Sequence, residues 1–506
     1  MRVRAALFTV LCLAAATLAG LAHAEGPDGT GAAAAGRAWS GPYGSPLDRI
    51  GVGVHPRWGT ASDYDLTFLH PEWWSDWGTS AEPPVPGMDY AQLILVRQAV
   101  WPPDWNIIQR RVQLNPGALW LIGNEPEGPY NQGNRTPAEY AQIYHEAYAR
   151  IKGWDPTAQI AVGGVIQPTP LRLLWLDQVL QEYQQRYGTS LPVDVWNVHV
   201  QILNEQRGGW GAGIPAGLNY NAGFVIGIDE FYKNASPDLF KQFVTAFRAW
   251  MRERGYRDTP LIISEYGVLL PSSYLEMDDP DHRGGDQMVC DFMRETFRWM
   301  LDEAVDPGSG FPADGNRLVQ RWLWYSLNDQ PFNFDTYEGF NGGLYDYRNP
   351  KHLTQFGACF RDFVTGRGVS YADLAVRSLR FNRETLPAGT PTTVRISAIV
   401  ANRGERAAGP VSLRLSLGRP GDGGKLLAEG KLAGSFSRYG QSGVYQYTWN
   451  NVTRPEGSQT EVCLQLDPAN AIPEADEDNN LFCRSLVVPY RLFVPVVAST
   501  AVKAAN

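Results

Sequence analysis

The chain is poor in cysteine and histidine, with five of the first and seven of the second among 506 residues. No two cysteines have the CxxC spacing of a zinc or redox site, and the histidines are scattered, which argues against a metal centre. Basic residues are also in deficit: 44 Lys and Arg stand against 53 Asp and Glu, for a formal net charge of −9. A nucleic-acid binder needs a basic face, so that class of partner is disfavoured. Past the N-terminus no segment is apolar enough to span a bilayer. The first strand-like run, Gly51-Val52-Gly53-Val54, lacks the GxGxxG of a phosphate loop, which counts against a doubly wound nucleotide-binding sheet.

Arg2 and Arg4 precede an apolar run from Ala5 to about Leu21, and Ala22-His23-Ala24 supplies a small-x-small cleavage site. Residues 1–24 therefore read as a secretory signal, and the chain is expected outside the cell or at its surface. Residues 25–48, rich in Gly, Ala and Pro, read as a flexible leader. Cys12 leaves with the signal, and an exported chain permits disulfides among the other four. Cys463 and Cys483 share one module and could pair. Cys290 and Cys359 fall on two expected helices, and their pairing stays open.

From residue 49 short apolar runs alternate with amphipathic helices. The runs that read as buried parallel strands are Ile50–Val54, Trp73–Trp77, Leu93–Arg97, Leu119–Gly123, Ile160–Val165, Val193–Val200, Leu261–Glu265 and Val319–Ser326. Helices are expected from Pro137 onward and over about Leu171–Tyr187, Pro237–Arg254, Asp286–Leu301 and Lys351–Val364, with Thr136 and Ser236 as N-caps. Eight strands alternating with helices predict a (β/α)8 TIM barrel over residues 49–366. Beyond it helical spacing disappears, and short alternating strands predict an all-β Ig-like sandwich over 371–488, followed by a tail at 489–506. Sixteen of the 17 tryptophans lie before residue 366, which makes the first part the catalytic candidate and the sandwich an accessory.

In a barrel, catalytic residues stand at the C-terminal ends of strands. Leu119-Trp120-Leu121-Ile122-Gly123-Asn124-Glu125-Pro126 and Leu261-Ile262-Ile263-Ser264-Glu265-Tyr266-Gly267 each carry a strand into a carboxylate. By count these are strands four and seven. A lone strand-end Glu is usually bonded to a neighbouring loop. Two facing one cavity suit glycosidic cleavage, one protonating the leaving oxygen and the other attacking the anomeric carbon. Such a pair needs no cofactor. His199 on strand six and Tyr266 after Glu265 are candidate site residues or packing residues. Trp77, Trp101, Trp105, Trp74 and Trp210 are expected on loops at the barrel mouth, where aromatic faces would stack on sugars; several platforms favour a polymer and endo-type cleavage.

Gly123-Asn124-Glu125-Pro126 and Ser264-Glu265-Tyr266-Gly267 resemble the two signatures of glycoside hydrolase clan A, over roughly residues 49–365. The resemblance implies a retaining mechanism with Glu125 as acid/base and Glu265 as nucleophile. It implies that Asn124 bonds the sugar 2-hydroxyl, that His199 contacts the nucleophile or a sugar, and that Trp324 lies under the sugar at the cleavage point. It points to β-linked poly- or oligosaccharides as substrate. Val400-Ala401-Asn402-Arg403-Gly404, with Ile472-Pro473-Glu474 and Glu477-Asp478-Asn479-Asn480, resembles the CARDB type of adhesion-related Ig-like module, which implies attachment to a cell surface or cell wall. The competing reading is a non-catalytic carbohydrate-binding or adhesion protein on a degenerate barrel; the presence of both carboxylates and Asn124 disfavours it.

Overall fold

The computed structural model describes residues 43 and 45–487, apart from 86–87, 130–131, 207–210, 220, 222, 224, 368–371, 384, 405, 438–441, 456–457 and 475–476. The expected signal, most of the leader, the tail and Trp210 lie outside the described residues.

The N-terminal part is built on short parallel strands: β1 (Ile50–Gly53), β2 (Trp73–Ser75), β3 (Asp89–Tyr90), β4 (Gln92–Ile94), β5 (Leu119–Asn124), β6 (Gln159–Gly164), β7 (Trp196–His199), β8 (Leu261–Tyr266) and β9 (Arg321–Trp324). They pair in two sheets, ordered β3-β2-β1-β9-β8-β7 and β4-β5-β6. Ala91 alone separates β3 from β4, and its N–H donates to Trp74 O. At the far side the parallel bridges Ala161–Val195 and Val165–Val198 link β6 to the segment carrying β7. The third expected run pairs earlier than its apolar stretch indicates, because Asp89 and Tyr90 already bond β2.

Between the strands run α1 (Trp105–Leu114), α2 (Pro137–Trp154), α3 (Pro170–Tyr187), α4 (Pro237–Glu253), α5 (Ser272–Leu275), α6 (Gly285–Arg298) and α7 (Gln355–Thr365). Thr136 caps α2 through Glu139 N while the Glu139 carboxylate accepts from Thr136 N, and Ser236 caps α4 ahead of Pro237. The last helix starts later than expected, since β11 (Asn349–Leu353) first pairs back on β10 (Tyr345–Asp346). None of the helices among the described residues is long and apolar enough to cross a membrane.

The longer parallel strands are largely apolar on both faces. Leu119, Leu121, Ile262 and Leu323 pack with Trp73, Leu93, Ala161 and Val195 in one small cluster. Their alternates Trp120, Ile122, Ile263, Trp322 and Trp324 join the large core that includes the helices.

Among the described residues the C-terminal part holds seven antiparallel strands: β12 (Leu374–Phe381), β13 (Thr392–Asn402), β14 (Val411–Leu417), β15 (Lys425–Leu432), β16 (Gly443–Val452), β17 (Gln459–Leu466) and β18 (Leu481–Val487). They form sheets β12-β13-β16 and β15-β14-β17-β18, with inward alternates such as Val394, Ile396, Leu413 and Leu415 in a shared core. Cys463–Cys483 joins β17 to β18, and Cys290–Cys359 joins α6 to α7.

The two parts meet at a buried charged seam. Arg403 Nε donates to Glu72 Oε1 at 3.0 Å and its Nη2 to Asp89 Oδ2 at 2.8 Å. Arg321, the first residue of β9, donates to the same Asp89 oxygen at 3.0 Å, and Arg377 Nη1 lies 3.6 Å from Asp89 Oδ1. Burial alone would raise the Asp89 carboxyl, but Arg403, Arg321 and Arg377 outweigh it and hold Asp89 well below the usual carboxylate range.

Candidate active site

Glu125 and Glu265 stand at the opposite, C-terminal ends of the parallel strands, and backbone irregularities aim both. Gly123 has φ +102°, and Glu125 itself has φ 44°, in the left-handed region that non-glycine residues seldom adopt. A side chain at Gly123 would meet Val96 as well as that strained φ. The Glu125 carbonyl accepts from Gly128 N and Gly133 N, while its N–H donates to Gly164 O at 3.0 Å. On β8, Val198 pairs with Ile263 but His199 pairs with Glu265, so one extra residue is taken up there. Without this bulge Glu265 would continue the helix-facing series of Leu261 and Ile263. With it, Glu265 turns to the side of Ile262 and Leu323 and reaches the open strand end.

The two carboxyl groups and His199 converge. One oxygen of Glu125, one of Glu265 and a ring nitrogen of His199 lie within 4.8 Å of one another. His199 Nδ1 is 3.1 Å from Glu125 Oε1 and 3.9 Å from Glu265 Oε2, and its Nε2 is 3.1 Å from Ser264 Oγ. The ring fits because Gly164 lies beside it: a Cβ there would fall 2.4 Å from His199 Cδ2. Glu265 accepts from Trp77 Nε1 at 2.9 Å and from Gln201 Nε2 at 3.1 Å. This donor set is also compact enough to hold a divalent cation.

Burial raises the Glu125 carboxyl to about 7, against the lowering effect of the Arg172 guanidinium. Glu265 is raised to about 7 as well, by burial and by Glu125, while His199, Trp77 and Gln201 act to lower it. Burial lowers His199 and keeps the imidazole neutral, although Glu265 and Glu127 pull it upward. Near neutral pH the two carboxyls hold about one proton between them.

A second buried cluster braces the first. Arg172 at the start of α3 donates from Nε to Glu127 Oε1 at 2.9 Å and also pairs with Glu205, and all three side chains are fully buried. Arg172 Nη2 donates to Ala212 O, Ile166 N to Glu127 Oε1, and Ile226 N to Glu205 Oε2. The loops after β5, β6 and β7 are thereby tied together, two residues from Glu125. Burial raises Glu127 despite Arg172.

Of the residues singled out from sequence, Glu125, Glu265, His199 and Trp77 come together, and Asn124 precedes Glu125 at the end of β5. Asn124 Nδ2 is 3.3 Å from Gln132 Oε1, and its buried Oδ1 has no protein partner, as is true of Gln201 Oε1. Trp324 and Tyr266 do not line the site. Trp324 is fully buried, donates to Gly342 O and packs on Tyr266, Phe292 and Phe297. Tyr266 is equally buried, with its hydroxyl 3.3 Å from Thr296 Oγ1. Alternation explains both: they point at the helices, and the next residue, Tyr325, turns to the site, packing on Trp77 and donating to Asp329. Trp74 is core against Tyr90, and Trp101 packs edge-on with Trp105. Trp210 lies outside the described residues. Gln201, Ser264, Tyr325 and Arg172 were not singled out. Gln201 could have been, as a polar residue just past a strand end.

Residues 371–484 match the family model CARDB. The CARDB domain of the PF1109 protein from Pyrococcus furiosus, solved in complex with di-metal ions, is 16% identical; the match covers 24% of this chain and 98% of that one, with a TM-score of 0.20. Solved glycoside hydrolases match over larger shares of the chain, each with a TM-score below 0.5. A curdlan-specific exo-β-1,3-glucanase from Blastomyces gilchristii, solved with glucose, is 16% identical over 63% of this chain and 99% of that one, TM-score 0.39. A glucosidase from Croceicoccus marinus is 12% identical over 82% of this chain and 96% of that one, TM-score 0.41. No curated protein matches the sequence.

Proposed function

We propose that this chain is an exported retaining glycoside hydrolase, built on a closed (β/α)8 barrel, that cleaves β-linked poly- or oligosaccharides. The observation that carries the proposal is the carboxyl pair: an oxygen of Glu125 and one of Glu265 within 4.8 Å at the same strand ends. Double displacement needs a separation of about 5–5.5 Å, while inverting enzymes leave roughly 6.5–9.5 Å for a water.

The surroundings support Glu265 as nucleophile and Glu125 as acid/base. Trp77 and Gln201 both donate to Glu265, which favours its anion. With its Nδ1 as acceptor, the neutral imidazole takes a hydrogen bond from the Glu125 carboxyl, which favours Glu125 as holder of the shared proton. Glu265 then forms a bond to the anomeric carbon as the glycosidic C–O bond breaks, and the Glu125 proton passes to the leaving oxygen. In the second step water gives a proton to Glu125, its oxygen bonds the anomeric carbon, and Glu265 leaves as carboxylate. Asn124 beside Glu125, with a buried Oδ1 that lacks a protein partner, supports a part in holding the sugar 2-hydroxyl once substrate opens that contact. The signal-like N-terminus and both disulfides support export, and the CARDB module supports a place at the cell surface.

The test is the anomer first released from a β-linked substrate, read by proton NMR before mutarotation. The β-anomer is expected; the α-anomer would overturn the mechanism, and no release from a broad panel of β-linked glycans would overturn the activity.

A further inference from the structure

Phe334 and Tyr337 are the exposed aromatic side chains among the described residues, 49% and 37% accessible, where most rings are buried. They do not stand alone. Phe334 packs edge-on with Tyr274 at 5.6 Å and with Phe332 at 5.1 Å; Tyr274 stacks on Phe231 at 5.6 Å; Phe332 lies 6.4 Å from Tyr337. This row of five rings draws on the loops after β7, β8 and β9, the same strand ends that carry the carboxyl pair. The loops are fixed to one another: Phe231 N and Tyr232 N donate to Asp278, and Asn341 Nδ2 donates to Leu270 O and Ser272 Oγ. The loop that carries Phe332, Phe334 and Tyr337 also reaches the site, since its Phe340 packs on Tyr325, and Tyr325 packs on Trp77, which holds Glu265.

We propose that this aromatic row is a distal binding surface for a neutral β-linked glucan chain. The proposal deepens the glycosidase reading and rests on it. A β-glucosyl ring carries its hydroxyls equatorially, so both its faces present C–H groups that pack on an aromatic ring. Exposed contiguous rings on a fixed loop set mark a recognition surface. The carboxylates of Asp278 and Asp335 near the row disfavour uronate-rich glycans and other polyanions, while Glu338 is paired with Arg57. A chain held here would thread toward Glu265, and its distant sugars would supply binding energy to position the scissile bond.

The experiment is native electrophoresis of the full chain in gels containing a soluble β-1,3-1,4-glucan, in the cold, with 4-nitrophenyl β-glucoside hydrolysis measured in parallel. The variants are Phe334→Ala/Tyr337→Ala and Tyr337→Phe. The double variant is expected to lose retardation by about tenfold, since each ring contributes a modest stacking energy. Its melting temperature and aryl-glucoside hydrolysis should match the parent, and Tyr337→Phe, which keeps the ring, should be retarded like the parent. Equal retardation of the parent and double variant, as expected if the row docks a protein instead, would overturn the proposal, as would a parent that the glucan does not retard. Retardation is read without turnover. A parent retarded through the row that hydrolyses no glycoside would therefore support the surface while refuting the catalytic reading.

Discussion

Ser264 Oγ lies 3.1 Å from His199 Nε2, which turns the other ring nitrogen to Glu125. Ser264 sits within the bulge that aims Glu265, so one irregularity of β8 orients both halves of the candidate site. Ser264→Ala should leave the fold intact and free the imidazole to rotate. We expect a loss in kcat of about tenfold to a hundredfold with little change in KM, the scale seen when an orienting partner is removed. Parallel kinetics on an oligosaccharide decide it; an unchanged kcat would remove His199 orientation from the mechanism.

The pair has a signature in stability. Both carboxyls are raised to about 7 from an ordinary 4.5. A raised carboxyl contributes stability that is fully present below its unfolded pKa and lost as pH rises through its folded pKa. The window is therefore pH 4.5 to about 7. Glu265→Gln should melt several degrees above the parent at pH 8, where the buried charge costs up to about 3 kcal/mol, and no higher at pH 4. Differential scanning calorimetry at the two pH values reads this directly.

Glu265→Ala should abolish turnover on every substrate. Glu125→Ala should keep measurable cleavage of an aryl glycoside with an activated leaving group, which needs little protonation. Identical behaviour of the two variants on that substrate would remove the role assignment. Treating the parent with EDTA should leave its rate unchanged, since acid, base and nucleophile all come from the carboxyl pair.

Arg172 holds two buried carboxylates and lowers Glu125 from a distance. Breaking such a buried pair costs about 3–5 kcal/mol, so Arg172→Gln should lower stability by that order. In whatever fraction folds, the alkaline limb of kcat should move upward, because Glu125 then keeps its proton to higher pH. A lower melting temperature with an unmoved pH profile would restrict Arg172 to a structural part.

Much of the architecture could be read from the chain. The alternation of apolar runs and capped helices located the parallel strands, because Thr136 and Ser236 cap locally and Leu119–Ile122 is an unbroken apolar run. The facing of residues at strand ends was less legible. In a strand buried on both sides Trp322, Leu323 and Trp324 look alike, so nothing local says that the tryptophans meet helices and that Tyr325 meets the site. The extra residue at Ser264 changes parity without any glycine or proline to announce it. Arg403 and Glu72 are 331 positions apart, beyond any local pattern.

That seam changes what can be expected of the isolated N-terminal part, which by sequence is complete near residue 365. A fragment ending at residue 367 would uncover Glu72 and Asp89 and leave Arg321 as the guanidinium still bonded to Asp89. It should melt below the intact chain, and Asp89→Asn should cost more in the full chain, where Arg403, Arg321 and Arg377 all face that carboxylate, than in the fragment, where Arg321 remains. A larger loss in the full chain is the readout, and equal effects would sever the link.

The consequence reaches past stability to exchangeability. Modules strung on linkers can be traded between proteins because neither side has features that only the other can neutralise. Here the sandwich supplies Arg403 and Arg377 to carboxylates lying under the starts of β2 and β3. Replacing it with another sandwich of the same shape would strand those charges unless the newcomer placed guanidiniums at the same points. The two halves are thus matched as a lock is to its own key, and they are expected to be inherited together.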